Sequence, residues 1–403
     1  MPQPGAEPVV DWSHDWDHHD EAWVTDPYRV WNQMRGECPM GRTARYNDGT
    51  WLPLTYDQLH AIAHDTESFS NKHYGITAGG TDYNRSHMPP INSDPPDHHA
   101  IRRLILPFFA PRAIESWRGA IEQHCVELAE SIAGRGEGDA AIDYAQHIPV
   151  FAIAAILGIP HEQGDQFREW VVDFVERGAV DPALRISAQD EILAYMDTQI
   201  AHRRANPGDD LISFLVSAEL EGEPLDDDTI RRVLQLQLVA GIDTTWSSIG
   251  AAMWHLATHA DDRQRLAAEP ELISTAIEEF LRAYAPVNVA RIIAADTVVD
   301  GMEMKAGESV MMSYPIACRD PQKFDNPDQV IIDREVNRHI AFGVGIHRCL
   351  GSNLARLEME VALTTWMRLI PEFELAPGAT VRWSEGQIRG PKQIPIVVKP
   401  PTA

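Results

Sequence analysis

Apolar residues recur at intervals of three and four along most of this chain, the spacing that forms one face of an α-helix. Prolines fall between several of these stretches, where a residue that cannot continue a helix belongs. The predicted helices cover residues 28–35, 56–64, 98–109, 112–133, 148–157, 163–177, 188–204, 210–219 and 354–369. A longer pattern begins at the acidic segment 225–229 and continues to His259. It predicts one helix of about 45 Å, long enough to cross a whole domain.

Short strands are predicted towards both ends of the chain. Residues 43–55 carry aromatic and apolar side chains around the turn Asn47-Asp48-Gly49, which predicts a small hairpin. Further short strands are predicted within residues 294–310, 381–383 and 394–398. No linker and no internal repeat divides the chain. We therefore expect one domain over residues 1–403, mostly α with minor β-sheets at its N- and C-terminal regions, in which residues 1–20 form a loose acidic tail.

The charge of the chain disfavours several classes of partner. Its 34 lysines and arginines against 60 aspartates and glutamates leave a net charge of −26, which disfavours nucleic acid and anionic membranes. No window approaches about 18 uninterrupted apolar residues, and the acidic N-terminus lacks the basic start and apolar core of a signal peptide. We therefore expect a cytoplasmic protein that does not bind a membrane.

The positions of the cysteines and histidines disfavour a disulfide framework and a metal site near the N-terminus. The four cysteines, Cys38, Cys125, Cys318 and Cys349, are widely scattered, as expected of reduced thiols and not of a disulfide framework. A metal site at His14, His18 and His19 is conceivable, but in a polar N-terminal tail we expect these side chains to be solvated.

One cysteine lies in a setting that suits a metal. The segment FGVGIHRCLG, residues 342–351, places Cys349 on a glycine-rich loop just before the predicted helix 354–369. The glycines let the backbone approach a flat partner, and the loop amides with the positive helix end can lower the thiol pKa. A lone thiolate suits the axial position of haem iron better than a zinc or iron-sulfur site, which needs about four ligands. The alternative is a buried cysteine in a glycine-rich turn.

This segment resembles the haem-binding motif of the cytochrome P-450 family, F-x-x-G-x-H-x-C-x-G, and matches every fixed position. The resemblance implies the cytochrome P-450 fold, with a long central helix over haem b (iron protoporphyrin IX). It also implies that the iron ligand is Cys349 and that its neighbours in the motif, Phe342, Gly343, His347 and Gly351, contact the cofactor.

A second segment lies in the middle of the long predicted helix. Ala240-Gly241-Ile242-Asp243-Thr244-Thr245 groups poor helix formers, which weaken a buried helix locally. A helix kink with an ordinary Asp-Thr cap is the alternative. The segment resembles the family's A/G-G-x-D/E-T-T/S motif, which lies over the iron opposite the cysteine. The resemblance implies that Thr244 hydrogen-bonds bound oxygen, that Asp243 relays protons, and that Ala240 and Gly241 leave room for oxygen and substrate.

Two further groups of charged residues stand at positions that resemble the family, one with a structural role and one that would bind the haem propionates. Glu279 and Arg282 lie three apart on one helical face and resemble its E-x-x-R pair, for which Arg334 is the candidate third member. An exposed pair of this kind would mean little. Haem propionates need cationic or hydrogen-bonding partners, and candidates stand at family-like positions. They are His98, Arg102, Arg291 and His347. Each alone could be an ordinary surface residue.

The resemblance implies a monooxygenase that inserts one atom of dioxygen into a modest-sized, mainly apolar organic substrate and reduces the other to water. By family position, the segments 74–88 and 167–180 form the roof of the substrate pocket. The pocket itself is implied to contain Leu236, Val239, Ala240, Val287, Asn288, Val289 and Ile388. A peroxygenase driven by hydrogen peroxide and a non-enzymatic haem sensor are the two alternatives.

The source of electrons follows from what the chain lacks. Residues 350–403 are too few for a flavin reductase domain, and no cysteine cluster could hold an iron-sulfur centre. We therefore expect a separate ferredoxin or flavodoxin served by an NAD(P)H-dependent reductase. Four arginines could form its docking patch or could simply be spread over an acidic surface. They are Arg103, Arg112, Arg338 and Arg348.

Overall fold

The structure is a computed structural model that describes residues 7–47, 49–73, 75, 87–384 and 386–399. Helices dominate it, as the apolar spacing predicts. They span Glu21–Thr25, Pro27–Glu37, Tyr56–His64, Asp97–Ile105, Pro111–Glu115, Arg118–Arg135, His147–Leu157, Gly164–Val172, Gly178–Val180, Pro182–Ala205, Leu211–Ser217, Asp227–Thr258, Ala260–Ala268, Ile273–Ala283, Tyr314–Ala317 and Ser352–Leu369. We call Asp227–Thr258 the central helix and Ser352–Leu369 the C-terminal helix.

The strands are short and form small sheets. β1 to β12 span, in order, Met40–Thr43, Thr50–Pro53, Phe69–Ser70, Glu137–Asp139, Glu219–Leu220, Glu223–Pro224, Asn288–Ile293, Thr297–Val299, Met302–Met304, Ser309–Ser313, Phe373–Leu375 and Pro395–Val398. The largest sheet has the order β1-β2-β10-β7-β3, with β2 and β10 parallel and the other pairs antiparallel. β11, β12 and β4 form a three-stranded sheet from distant parts of the chain.

The central helix is the organising element of the core. Its N-cap Asp226 accepts a hydrogen bond from the Thr229 amide, and buried residues cover most of its length. It packs against the helices 147–157, 164–172 and 182–205 and against the C-terminal helix. Most of its side chains are buried, including several polar ones, so the helix lies in the interior of the molecule. No helix among the described residues is long and apolar enough to cross a membrane.

Several predicted boundaries shift for local reasons. The helix predicted over 112–133 is broken at Ser116-Trp117, where the Ser116 hydroxyl donates to the Ala113 carbonyl and ends the first turn. The helix predicted over 188–204 begins earlier, with Pro182 at its first position, where its missing N–H costs nothing. The strand predicted over 381–383 is wrong, since only Trp383 forms an isolated bridge, to Pro391.

Residues 11–20 do not form the loose acidic tail that the sequence predicts. Trp16 is fully buried, and the Asp17 carboxylate pairs with Arg45 and accepts a hydrogen bond from the Tyr46 hydroxyl at 2.5 Å. The His18 ring is also buried and stacks on Tyr46 with centroids 4.8 Å apart, so the prediction that it is solvated is wrong. Tryptophan packing outweighs the acidic composition here, because each indole buries a large apolar area.

Candidate functional site

A cavity of about 280 Å³ separates the central helix from the glycine-rich loop 342–351, which we call the cysteine loop. It is lined by all the residues that the sequence assigns to catalysis, cofactor binding and the substrate pocket. They are Leu236, Val239, Ala240, Gly241, Asp243 and Thr244 from the central helix, His98 and Arg102, Val287, Asn288, Val289 and Arg291, Phe342, Gly343, His347, Cys349 and Gly351, and Ile388. Segments far apart in the chain therefore converge on one space.

The cysteine loop owes its shape to two glycines in the left-handed region. Gly343 and Gly345 have φ angles of 70° and 72°, which a side chain would strain. A Cβ on Gly345 would also lie 2.5 Å from the Ala63 carbonyl oxygen. The Cys349 amide donates to the Phe342 carbonyl at 2.8 Å and closes the loop just before the C-terminal helix begins at Ser352. The thiol is thereby held at the positive end of that helix.

Cys349 is an exposed side chain in the interior of the molecule, because it faces the cavity. Burial raises the pKa of its thiol, and the Gly351 amide together with Arg102 and Arg348 offsets only part of that effect. The loop amides and nearby cations lower this pKa, as the sequence suggests, but they do not outweigh burial. A coordinated cation would supply the missing stabilisation of the thiolate.

Across the cavity, the central helix runs without interruption through residues 240–245. The Thr244 hydroxyl donates to the Ala240 carbonyl at 2.9 Å, and Ala240 is exposed although it lies mid-way along a buried helix. Gly241 faces Ile153 at a distance that leaves little space for a Cβ. Small side chains at these positions therefore open the helix surface towards the cavity.

Asp243 is almost completely buried beside Thr244, and its carboxylate has a cationic partner that the sequence does not reveal. Its Oδ1 is hydrogen-bonded to the ammonium of Lys392, which also forms an ion pair with Glu176 at 2.6 Å. Ser247 lies one helical turn further on, with its hydroxyl 3.5 Å from the same oxygen. Lys392 and Glu176 are the functional candidates that sequence analysis missed.

Four basic side chains converge on the other side of the cavity. Burial, with Arg102 and His99, lowers the pKa of His98 to about 4, and burial, with Arg291 and His98, lowers that of His347 to about 2. The two imidazole rings lie 4.2 Å apart between centroids. Burial also lowers the pKa of both arginines, Arg102 and Arg291. Crowding of basic groups in this way disfavours their charged forms unless an anion joins them.

These groups pass a test for a dianionic planar cofactor. The Nε2 atom of His98 is buried without a hydrogen-bond partner, Arg102 donates to the Arg348 carbonyl at 2.5 Å, and Arg291 donates to the Ala290 carbonyl at 2.8 Å and is also hydrogen-bonded to Tyr314. Among the described residues, neither arginine has a carboxylate within ion-pairing distance. Two propionates would satisfy them. The residues present therefore fit haem, with Cys349 on one face and the segment 240–245 on the other.

Glu279, Arg282 and Arg334 meet in a buried ion network away from the cavity lining. Arg282 donates to both Glu279 oxygens at 2.8 Å, and Arg334 donates to Oε2 at 2.9 Å. The side chains of Glu279 and Arg282 have no exposed surface. Burial opposes the charge on Glu279, but the two arginines outweigh it, and the net pKa of Glu279 is lowered. The network ties the helix 273–283 to the chain that leads into the cysteine loop.

The predicted roof of the pocket is only partly in place. Phe174 and Val175 line the cavity from a π-helical turn at 173–177, whereas Phe167 packs away from it against Trp170 and Tyr195. Most of the predicted segment 74–88 lies outside the described residues, but Met88 lines the cavity. We call residues 164–180 the roof segment.

Comparison with known proteins gives one consistent result. The family model described as cytochrome P-450 matches residues 184–388. The polyketide-biosynthesis cytochrome P-450 PksS of Bacillus subtilis is 33% identical over 396 residues, covering 94% of this chain and 97% of that protein. The mycinamicin IV hydroxylase/epoxidase of Micromonospora griseorubida is 32% identical over 368 residues, covering 87% of this chain and 90% of that protein.

Solved structures agree with the sequence relatives. The structure of PksS matches with a TM-score of 0.86 at 32% identity, covering 96% of this chain and 100% of that chain. The structure of CYP109E1 from Bacillus megaterium in complex with testosterone matches with a TM-score of 0.86 at 31% identity, covering 93% of this chain and 98% of that chain.

Proposed function

This chain belongs to the cytochrome P-450 family, whose members are monooxygenases that use a haem-thiolate cofactor, and we propose that Cys349 supplies the thiolate to haem b. The observation that carries the proposal is the cavity itself. It has the lone thiol on one face, the Asp243-Thr244 pair on the opposite face, and four basic side chains at its edge. Cofactor, ligand and proton source would thus meet in one space.

Each group in the cavity has a separate task. His98, Arg102, Arg291 and His347 would hold the two propionates and fix the plane of the macrocycle. When bound, the haem held by these residues and by Cys349 would supply the activation of dioxygen. Thr244 Oγ1 can release the Ala240 carbonyl and turn towards the cavity, where it would donate and accept a proton. Asp243, one residue earlier, would restore that proton from the other side of the helix.

The acid-alcohol pair favours dioxygen over the two alternatives. A peroxygenase receives its two oxygen atoms already protonated and reduced, and a sensor carries out no oxygen chemistry. Neither needs a carboxylate and a hydroxyl placed side by side opposite the thiol. The position of Asp243 and Thr244 on the cavity lining therefore supports a monooxygenase.

The pocket walls favour a modest-sized, mainly apolar substrate with one polar group. Leu236, Val239, Val287, Val289 and Ile388 supply apolar surface. Asn288 is the polar exception. Its amide nitrogen donates to the Gly386 carbonyl at 3.1 Å, while its Oδ1 is buried without a partner. A hydroxyl or N–H of the substrate would satisfy this oxygen.

Electrons would come from a separate ferredoxin or flavodoxin that is reduced at the expense of NAD(P)H. Arg103, Arg112, Arg338 and Arg348 are exposed, and every other exposed arginine among the described residues is paired with a carboxylate. Arg102 bonds to the Arg348 carbonyl and brings the helix 97–105 against the cysteine loop. Exposed cations that no carboxylate of the described residues neutralises favour an acidic partner, and Arg348 lies next to the cysteine.

A turnover assay tests the proposal. Purified haem-loaded protein is given a panel of apolar compounds with one hydroxyl or amine, first with NAD(P)H and surrogate ferredoxin and reductase, then with hydrogen peroxide alone. We expect oxygenated product with the electron-transfer chain and little with peroxide. Product formed mainly with peroxide would favour the peroxygenase, and no product under either condition would favour the sensor.

A further inference from the structure

Lys392 lies between two carboxylates behind the wall of the cavity. Its ammonium bonds to Asp243 Oδ1, lies 2.6 Å from Glu176 Oε1, and donates to the Ser247 hydroxyl at 3.2 Å. It also stands 4.3 Å from the centroid of the Trp246 ring. Three elements meet at this ammonium: the central helix, the roof segment and the loop before β12.

Two glycines allow the loop to approach the central helix closely enough for this contact. A Cβ on Gly390 would lie 2.4 Å from the Cβ of Ser247, and one on Gly250 would lie 3.1 Å from the Pro391 carbonyl oxygen. The Ser384 hydroxyl accepts a hydrogen bond from the Gly390 amide at 3.0 Å, which fixes the loop before it reaches Lys392. The lysine is therefore presented to Asp243 by rigid backbone.

The three side chains span the wall between the cavity and the outside. Asp243 is 1% exposed and lines the cavity, whereas Lys392 and Glu176 are 19% and 23% exposed and are absent from the described residues that line it. Glu176 belongs to the π-helical turn 173–177, whose neighbouring residues Phe174 and Val175 do line the cavity. The same turn thus contacts the substrate space on one side and Lys392 on the other.

Two carboxylates share one ammonium here, which leaves one negative charge uncompensated. Burial and the charge of Asp243 raise the pKa of Glu176, against the opposing effects of Lys392 and Arg177. Burial would lower the pKa of Lys392, but the two carboxylates outweigh it and the net direction is upward. Arg177 is itself paired with Glu169 and Asp173. Lys392 therefore stays charged, and the protonated form of Glu176 is favoured.

We propose that Lys392 is a positioning residue for the Asp243 carboxylate and that Glu176 competes for it, so that the roof segment sets the proton affinity of the relay. In the structure the Lys392 ammonium forms ion pairs with both carboxylates, so it stabilises each of them less than it would stabilise one alone. Asp243 Oδ2 has no hydrogen-bond partner among the described residues. Without the Glu176 carboxylate, Lys392 would bind Asp243 alone and stabilise its ionised form. This inference rests on the proposed role of Asp243 as proton relay.

The first test needs no catalysis. Thermal unfolding of the haem-loaded protein is followed between about pH 4 and 8, a range that includes the ordinary pKa of a glutamate and values raised above it. Because the pKa of folded Glu176 is raised above its ordinary value of 4.5, its contribution to stability is complete below that value and is lost as pH rises through the folded pKa. Glu176→Gln should therefore lose less stability than wild type as pH rises. Lys392→Met should lose more, and the double variant should lose less than Lys392→Met alone.

The second test uses the pH profile of coupled product formation. Removing the cation raises the proton affinity of Asp243, so Lys392→Met should move the acidic limb upward by about one pH unit or more. Removing the competing carboxylate should move it downward in Glu176→Gln. Lys392→Arg should restore the wild-type profile. Lys399→Met is the matched control, since Lys399 pairs with Glu374 on the surface and lies on the same C-terminal segment.

The outcomes are distinct. Stability curves that run parallel in all variants would overturn the inference whatever the activity, because the three charges would then be uncoupled. Divergent curves with unmoved pH profiles would also overturn it, since the group would be structural only. Wild-type protein that forms no product would refute the proposed function, while the stability curves would still decide whether Lys392 and Glu176 are coupled.

Discussion

At the scale of single residues, the hydroxyl of Thr244 is the group whose removal is most informative. It donates to the Ala240 carbonyl at 2.9 Å, so alanine removes one local bond and leaves the helix backbone intact. We predict that Thr244→Ala binds substrate and accepts electrons normally but releases much of the consumed oxygen as hydrogen peroxide. The measurement is peroxide formed per NAD(P)H oxidised.

Thr258→Ala provides the control for that variant. Thr258 lies near the end of the same helix and donates to the Trp254 carbonyl at 2.8 Å in the same geometry, away from the cavity. It should keep wild-type coupling. If Thr244→Ala stays as tightly coupled as Thr258→Ala, the hydroxyl is not part of oxygen chemistry.

Asp243 is predicted to limit the rate of proton delivery. Asp243→Asn keeps the size of the side chain but cannot carry a proton, so turnover should fall by about 10²–10⁴-fold, the range for a general acid or base. Solvent isotope effects on turnover should rise, because proton transfer becomes slower. An Asn variant at wild-type speed would remove Asp243 from the relay.

Site residues that belong to short sequence motifs were predictable, whereas contacts between residues far apart in the chain were not. Cys349, Asp243 and Thr244 belong to compact segments whose residue types fit only a few chemistries. Lys392 stands 149 residues from Asp243, and nothing in the sequence near either residue shows that they meet. The contact depends on how the loop before β12 packs on the central helix, which periodicity does not describe.

At the scale of elements, the network of Glu279 supports the cysteine loop. Arg282→Ala would leave a buried carboxylate without its principal partner, a loss of about 3–5 kcal/mol. Set against a total stability of about 5–15 kcal/mol, that loss is large. We predict that Arg282→Ala yields mostly haem-free or aggregated protein, measured as haem content per chain and as thermal stability.

Arg265→Ala is the control at this scale. Arg265 is also on a helix and pairs with Glu269 and Asp333, but it is 39% exposed. Exposed pairs contribute under about 1 kcal/mol, so this variant should retain haem. Soluble, haem-loaded Arg282→Ala with the stability of Arg265→Ala would contradict the structural role of the network.

Element positions were predictable where capping and periodicity agree. The helix Tyr56–His64 is predicted to the residue, and in the structure Thr55 and Gln58 form a capping box that fixes its start. The break at Ser116-Trp117 and the early start at Pro182 were not predictable from the apolar spacing. Both depend on local hydrogen bonds and turns that leave the spacing unchanged.

At the scale of the whole molecule, charge distribution governs the encounter with a redox partner. The net charge is −26, yet four exposed arginines, of which Arg348 belongs to the cysteine loop, lack carboxylate partners among the described residues. Arg348→Ala should bind haem normally but receive electrons more slowly, and its rate should depend less on ionic strength than that of wild type. Stopped-flow reduction at several salt concentrations measures both effects.

Arg382→Ala supplies the comparison, since Arg382 is exposed but interacts with Glu21. Its reduction rate should match wild type at every salt concentration. Equal rates for Arg348→Ala and Arg382→Ala would mean that the partner docks elsewhere.

The sequence also misled at this scale. Acidic composition at residues 11–20 predicts a loose tail, whereas the tryptophans there pack into a buried cluster with Trp23 and Trp31. The apolar area of the indoles stabilises the packed segment, and the buried carboxylate of Asp17 is neutralised by Arg45. Spaced tryptophans were the signal that should have outweighed the charge.

The central claim is that Cys349 is the thiolate ligand of haem iron, and the spectrum of the reduced carbon monoxide complex tests it most directly. Wild-type protein should absorb at about 450 nm, because a strong sulfur donor shifts the haem band to the red. Cys349→His should move the band to the position of histidine-ligated haem and abolish oxygenation, while Cys125→Ala should leave it unchanged. A band in Cys349→His identical to that of wild type would contradict the account.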